Sequence, residues 1–180
     1  MTAARTSVQW LRDDVGSSAV ARMEVPAPVL ASTHLTPAVR AYLLWWFMHP
    51  DPAGRFAAQT RWLRWLPARL LLRTMFALGY EGLIYMEGET VIGHVFFQRR
   101  GEDLHGFSTA VIDRLAGSGY SAVMILDFVA HASQYPGVRR ARVGTGANNT
   151  TRRFLERLKQ HEARLGWRVG LDGWVTFSRG

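Results

Sequence analysis

The chain has 180 residues, of which 48% are hydrophobic and 20% charged, a balance typical of one soluble globular domain with a proper core. It contains no cysteine, which excludes disulfide scaffolds, thiolate zinc sites and cysteine nucleophiles. Lysine and arginine outnumber aspartate and glutamate by 22 to 14, and the net charge of +8 is nearly all arginine. This excess suits a polyanionic partner or a solvated basic surface, and net charge alone does not choose between them.

The N-terminus, MTAARTSVQWLRDDVGSS, lacks the uninterrupted apolar core of a signal peptide. The longest strongly apolar run, Ala41 to Met48, is far short of the ~20 residues that span a bilayer. We therefore expect a cytoplasmic protein without a membrane span, formed by a single domain over residues 1–180.

Residues 1–79 are predicted to be mainly helical. The stretch MEVPAPVLAS can hold one short strand, since its prolines interrupt anything longer. Thr36 and Pro37 are typical of a helix N-cap followed by proline at the first helical position, and this helix should end before Pro50. Two further helices are expected in the segments Gly54–Leu66 and Pro67–Gly79.

From Tyr80 onward the pattern changes from helical to β-rich. YEGLIYMEGETVIGHVFFQRR predicts a hairpin, and a third strand is expected over Leu104–Ile112. The segment Tyr120–Gln134 is apolar almost all round, as in a helix buried against a sheet. A strand, an asparagine-led helix and a hairpin should follow in the segments Val138–Val143, Asn148–Leu165 and Trp167–Phe177.

A glycine-containing loop joins the third strand to the buried helix. Residues Arg114 to Gly119 fit R-x-x-G-x-G, and a strand-loop-helix order points backbone N–H groups and the positive end of a helix dipole at an anion. Glycine lets the backbone approach a phosphate, and Ser118 can add a hydroxyl donor. The loop lacks the features of a Walker loop or a complete dinucleotide fingerprint, and taken alone it could be an ordinary turn.

In this ordered context the chain resembles the GNAT superfamily of acyl-CoA-dependent N-acyltransferases, over about residues 80–180. In that family R/Q-x-x-G-x-G/A follows the fourth strand and holds the pyrophosphate of coenzyme A. Asn148 with RRFLERL, residues 152–158, is similar to the family segment N-x-x-A-x-x-F-Y-x-x-L. The resemblance implies the GNAT fold, an α/β (α+β) domain whose mixed, mostly antiparallel central sheet is flanked by helices. Residues 1–79 would then be the acceptor-side region and residues 80–180 the acyl-CoA-binding core.

The same resemblance implies acetyl-CoA or a longer acyl-CoA as cofactor, and it implies no metal. A backbone N–H of the fourth strand would stabilise the oxyanion, and the loop would bind the pyrophosphate. The implied cofactor-binding residues are Thr109, Ala110, Val111, Ile112, Arg114, Leu115, Ala116, Gly117, Ser118, Gly119, Tyr120 and Asn148.

Two departures from the family bear on proton transfer. Where the family commonly has a tyrosine that protonates the leaving thiolate, this sequence has Leu155, and the usual Gly-Phe arrives about seven residues late as Gly166-Trp167, which lengthens the predicted helix. The thiolate could leave unprotonated, since a thiol has a pKa of ~8.5. The substitute acids are Tyr120, Tyr135 and His161.

The preferred general base is His105, because it lies on the strand that enters the loop and titrates near neutral pH. A histidine without a role is an equally open interpretation, and the other local options are Glu102, Asp103 and His94. The predicted catalytic residues are therefore His105, Glu102 and Tyr120.

The implied reaction transfers an acetyl or longer acyl group to a primary amine of a small molecule or peptide. An acyl-CoA or acyl-carrier sensor without turnover stays open as an alternative, because Leu155 cannot donate a proton.

The segments AYLLWWFM and RWLRWL could contact membrane or nucleic acid, although nucleic acid is the less favoured partner. In the family such helices form a wall of the acceptor site. An acidic carrier protein and a homodimer also stay open. Three arginines could touch the 3′-phosphate of coenzyme A or a carrier, or form a solvated strand face: Arg139, Arg140 and Arg142.

Overall fold

The computed structural model describes residues 11, 25–48, 65–144 and 149–177. The predicted helix Gly54–Leu66, apart from its last two residues, and the predicted ligand Asn148 lie outside these ranges. The described helices and strands are, in chain order, β1 (Val29–Leu30), α1 (Pro37–Met48), α2 (Ala68–Ala77), β2 (Tyr80–Glu87), β3 (Thr90–Arg100), β4 (Asp103–Val111), α3 (Tyr120–Gln134), β5 (Arg140–Arg142), α4 (Asn149–Lys159), α5 (Glu162–Leu165), β6 (Trp167–Val169) and β7 (Trp174–Phe177).

The strands form one seven-stranded sheet in the order β1-β2-β3-β4-β5-β7-β6. Every neighbouring pair is antiparallel except β4 and β5, which run parallel. A parallel pair needs a crossover, and α3 supplies it. The predicted mixed, mostly antiparallel sheet flanked by helices is confirmed, as are the first hairpin, the third strand and the short N-terminal strand.

Local signals explain where α1 and α2 begin and end. The Val39 N–H donates to Thr36 Oγ1 at 3.3 Å, which caps α1 as predicted, and Pro37 is its first residue. Helix α2 starts directly after Pro67, and Gly79, with a φ of 78°, turns the chain into β2.

The sheet has two covered faces. We call the face that α1 and α2 cover the front face, and the face that α3 and α4 cover the back face. Ten of the 15 residues of α3 are buried, which confirms the prediction of a helix packed against the sheet. The back-face core also takes in Leu155, while the front-face core is built around α1 residues and Phe96.

The predicted continuous helix from Asn148 to Leu165 is wrong. Helix α4 ends at Lys159, the N–H of His161 turns back to the Leu158 carbonyl at 3.1 Å, and α5 starts at Glu162. The late Gly-Trp pair is thus reached through a separate short helix rather than two extra turns. Gly166 ends α5 with a φ of 65°, as predicted. Across the ranges that the structure describes, none of the helices is long and apolar enough to cross a bilayer.

Candidate functional site

Strand β4 changes its pairing halfway along. Phe97 lies opposite Gly106 and Phe96 opposite Ser108, so Phe107 is an extra residue that forms a bulge against β3. Strand β5 pairs only with residues 103–105, the start of β4. Among the described residues, no strand pairs with the rest of β4 on that side. Its second half therefore presents a free edge, where backbone groups can bind an extended ligand.

The loop after β4 opens toward empty space. A 3-10 helix covers Asp113–Leu115, and Gly117 and Gly119 then have φ values of 73° and 91°, which only glycine adopts without strain. A Cβ on Gly117 would meet nothing within 4 Å. Over the described residues, the N–H groups of Gly117 and Gly119 donate no hydrogen bond. Because α3 starts at the next residue, these groups sit at the positive end of a helix dipole.

Two side chains of the loop already have partners. The Ser118 hydroxyl donates to the Leu115 carbonyl at 2.7 Å and accepts from the Tyr120 N–H at 3.2 Å, so its proton is used within the loop and it is not a spare phosphate donor. Arg114 forms an ion pair with Glu87 at the end of β2, and both side chains are more than half exposed. An exposed ion pair contributes roughly 0–1 kcal/mol, so a phosphate could displace Glu87 from Arg114 at little cost.

The predicted cofactor-binding positions differ in what they can offer. The Ile112 N–H donates to the Ile92 carbonyl at 3.0 Å, so it is not available to an oxyanion. Thr109 and Ala110 are exposed, and Val111 and Ala116 are also accessible. Leu115 and Tyr120 are buried in the back-face core, which leaves only their backbone for a ligand.

A buried hydrogen-bonded chain crosses the front face beside the bulge. Tyr42 Oη lies 2.7 Å from His94 Nδ1, and His94 Nε2 lies 3.0 Å from Ser108 Oγ. We call these three residues the front-face relay; they come from α1, β3 and β4 respectively. The His94 side chain is 1% exposed, and its ring stacks on Phe96 with 4.0 Å between centroids.

Burial keeps both aromatic members of the relay neutral. It lowers the pKa of His94 to about 3 and raises the pKa of Tyr42 to about 12. A neutral imidazole has one donor and one acceptor nitrogen, and a charged one would be costly inside this aromatic surrounding. The arrangement can therefore accept a proton on one nitrogen while releasing one from the other.

The three predicted catalytic residues do not come together. His105 lies on β4 before the bulge, edge-on to Trp174 at 5.2 Å, and its pKa is lowered by burial first and then by Arg100. Glu102 precedes β4, at the end away from the loop, and forms an ion pair with Arg139 at 3.2 Å. At ~3.3 Å per residue, β4 separates Glu102 from the loop by roughly 25 Å. The Tyr120 ring is buried against Tyr85, with 6.1 Å between centroids.

The other named residues also have definite places. Leu155 is 0% exposed and packs in the back-face core. Tyr135 follows α3, under the Arg99 guanidinium, and His161 lies between α4 and α5. None of these three is on β4 or in the loop.

Sequence reasoning missed Tyr42 and Ser108 and gave His94 only as one of several options. Strand alternation does place His94 and Phe96 on one face, which was the usable signal. Nothing in the spacing links a tyrosine on a helix to that strand, so the relay appears only in three dimensions.

No protein-family model matches this sequence, and neither does any curated protein. Solved structures do match. Tetrahymena GCN5 is 13% identical with a TM-score of 0.47, covering 72% of this chain and 78% of its own. A protein described as an acetyltransferase of the GNAT family, from Desulfovibrio desulfuricans, is 20% identical with a TM-score of 0.46, covering 69% and 79%. Arabidopsis thaliana NAA60 in complex with a bisubstrate analogue is 14% identical with a TM-score of 0.38, covering 72% and 92%.

The chain is similar in fold to GNAT proteins. At these identities the similarity extends to the fold and no further.

Proposed function

We propose that this protein is an acyl-CoA-dependent N-acyltransferase, which moves an acetyl or longer acyl group from coenzyme A to a primary amine. One observation carries the proposal: the free edge of β4, created after the bulge at Phe107, leads directly into the open glycine loop before α3. An edge followed by unpaired N–H groups at a helix N-terminus suits a long ligand with amides at one end and a pyrophosphate at the other.

In this proposal the backbone binds most of the cofactor. The N–H groups of Gly117 and Gly119 would bind the pyrophosphate, and Arg114 would exchange Glu87 for a phosphate oxygen. The pantetheine amides would pair with the free edge of β4. The oxyanion would then receive an N–H from Thr109 or Val111. The Ile112 N–H is already donated to β3, and in an antiparallel ladder the N–H of Ala110, two residues earlier, also points to β3.

The amine nitrogen attacks the thioester carbonyl, a C–N bond forms, and the C–S bond breaks as the thiolate leaves. We propose that Ser108 Oγ takes the proton lost by the amine as the Ser108 hydroxyl proton passes to His94 Nε2. His94 Nδ1 then passes its proton to Tyr42 Oη, and the half-buried Tyr42 hydroxyl releases its own proton to water. His105, on the same strand, stays a candidate base. With Leu155 buried, the thiolate would take its proton from water.

The acceptor side is aromatic. The centroid of the Trp46 ring lies 4.5 Å from that of Phe96 and 5.9 Å from that of Phe107, and the Tyr80 centroid also lies 5.9 Å from that of Phe107. These rings line the front face beside Ser108, and they favour an acceptor or acyl chain with an apolar body.

A second candidate is acyl-CoA binding without turnover. Its supporting observation is Leu155, which is wholly buried and has no proton to give. Nothing in this alternative changes the expected cofactor site.

Thiol release separates the two functions. The purified protein should release free coenzyme A from acetyl-CoA, or from a longer acyl-CoA, when a suitable amine from a broad panel is present. Binding of coenzyme A without thiol release across the panel would favour the second candidate. If no coenzyme A ester binds, both proposals fail.

A further inference from the structure

The sheet register places several arginines on the front face, on the same face as the aromatic rings of Phe96 and Phe107. Arg140 lies opposite Asp103 and Thr176, and Arg142 lies opposite His105 and Trp174. Directly opposed residues share a face, and their neighbours Leu104 and Ala141 are buried in the back-face core. We call the resulting group the arginine patch: Arg100, Arg140, Arg142 and Arg168.

Most of the charge of this patch is not compensated. Arg140 donates two hydrogen bonds to the Asp103 carboxylate, at 2.8 and 2.6 Å. The other three arginines form no ion pair with any described residue. The positive charge affects the neighbouring His105. Burial lowers its pKa most, Arg100, Arg142 and Arg140 lower it further, and Asp103 has the opposite effect.

Arg142 is also held in place. Its guanidinium lies over the Trp174 ring, 5.5 Å from the ring centroid. The Arg140 guanidinium lies over the same ring, 4.6 Å from the centroid. Cation–π contact limits the freedom of a long side chain before a ligand arrives, which reduces the entropy lost on binding. Arg142 is the last residue of β5, so it borders the point where β4 and β5 stop pairing.

We infer that Arg142, which is oriented over Trp174 and exposed where β4 and β5 stop pairing, binds a carboxylate of the amine acceptor. This inference rests on the proposed transferase function and names its substrate class. A guanidinium fork with no carboxylate of its own matches a carboxylate geometrically and electrically. The acceptor is therefore an amine that carries an acidic group at a distance.

The register sets that distance. His105, opposite Arg142, is three residues before Ser108 on β4, but Phe107 is an extra residue. The two positions therefore lie only two steps apart against β3, from Gln98 to Phe96, or about 7 Å at ~3.3 Å per residue. An extended peptide advances by a similar length per residue. A peptide whose N-terminal amine reacts near Ser108 would thus place the side chain of its second or third residue near Arg142.

Two matched peptides test this. Both are tetrapeptide amides with a free N-terminus; one has glutamate at positions two and three, and the other has glutamine there. Each is titrated calorimetrically into the full chain saturated with coenzyme A, and into Arg142→Gln and Arg153→Gln variants. Arg153 is exposed on α4 and forms no ion pair with a described residue, so its loss removes the same charge elsewhere.

We expect the glutamate peptide to bind at least about tenfold more tightly than the glutamine peptide. Arg142→Gln should remove most of this preference, and Arg153→Gln should keep it. Equal affinity of the two peptides, no binding of either, or equal losses in both variants would overturn the inference. Coenzyme A binding, measured first, judges the proposed function separately; if it fails, the same peptide titrations on the free protein still decide the carboxylate site.

Discussion

The two faces of the sheet both bury polar groups, but they do so differently. On the back face Tyr85 donates to Asp127 at 2.9 Å, and both residues are buried inside the core that α3 and α4 complete. On the front face the relay begins at the half-buried Tyr42, passes through the buried His94, and reaches Ser108 on the free half of β4. The back face thus stabilises the fold, whereas the front face connects a buried group to an accessible edge.

A core substitution on each face measures this difference most directly. Phe128 is 1% exposed and packs against Phe97 on the back face, so Phe128→Ala should lower the free energy of unfolding by about 3–5 kcal/mol. Phe107 is half-buried at the bulge, and Phe107→Ala should cost only about 1–2 kcal/mol while raising KM for apolar amines. Urea unfolding of both variants gives the comparison; equal losses would contradict the division of roles.

The glycine loop can be tested against a matched glycine at the other end of β4. Gly117 and Gly101 have φ values of 73° and 61°, and an added Cβ meets nothing within 4 Å at either position. Valine at either site should therefore cost a similar ~1–2 kcal/mol of backbone strain. Only Gly117→Val should weaken coenzyme A binding, by at least about 100-fold, because its side chain would enter the phosphate site. Calorimetric affinity of Gly101→Val near the unmodified value is the necessary control.

Removing one hydroxyl from each face distinguishes catalysis from stability. Ser108→Ala interrupts the relay, so kcat should fall by about 10- to 100-fold with the fold intact. Tyr85→Phe removes a hydroxyl from the back face and leaves Asp127 with one donor fewer, so stability should fall by about 1–2 kcal/mol with kcat unchanged. Steady-state kinetics and thermal unfolding of both variants decide; a kcat loss for Tyr85→Phe as large as that for Ser108→Ala would remove the relay from the mechanism.

Sequence periodicity was sufficient for most of the fold and for the loop. The alternation in β2 and β3, the all-round apolar pattern of α3 and the glycine that ends α5 each depend on local physics, so each could be predicted. The break at His161 could not, since Gln160 and His161 carry no strong stop signal.

The relay depends on one residue of register. Its members are separated by 52 and 14 positions in the chain. Without the bulge at Phe107, simple alternation along β4 would place Ser108 on the back face, away from His94. Bulges have no strong sequence signal, which is why Ser108 was not among the predicted site residues.

The smallest expected effect is the pH dependence that His94 gives to stability. Burial lowers its folded pKa to about 3, below the unfolded value of 6.5, so the unfolded state binds the proton first as pH falls. Stability is therefore fully present above pH ~6.5 and is lost progressively toward pH ~3, by at most about 1.4 kcal/mol per pH unit for this one proton. In His94→Gln that part of the slope should disappear, although its stability at pH 7 is lower.

His105→Gln is the control on the same face: His105 is half-exposed and its pKa is lowered less by burial, so its removal should change the slope less. Urea unfolding between pH 4 and 7 measures all three slopes. An unchanged slope in His94→Gln would mean that the pKa of His94 is the same in the folded and unfolded states, which would contradict the burial that the neutral relay requires.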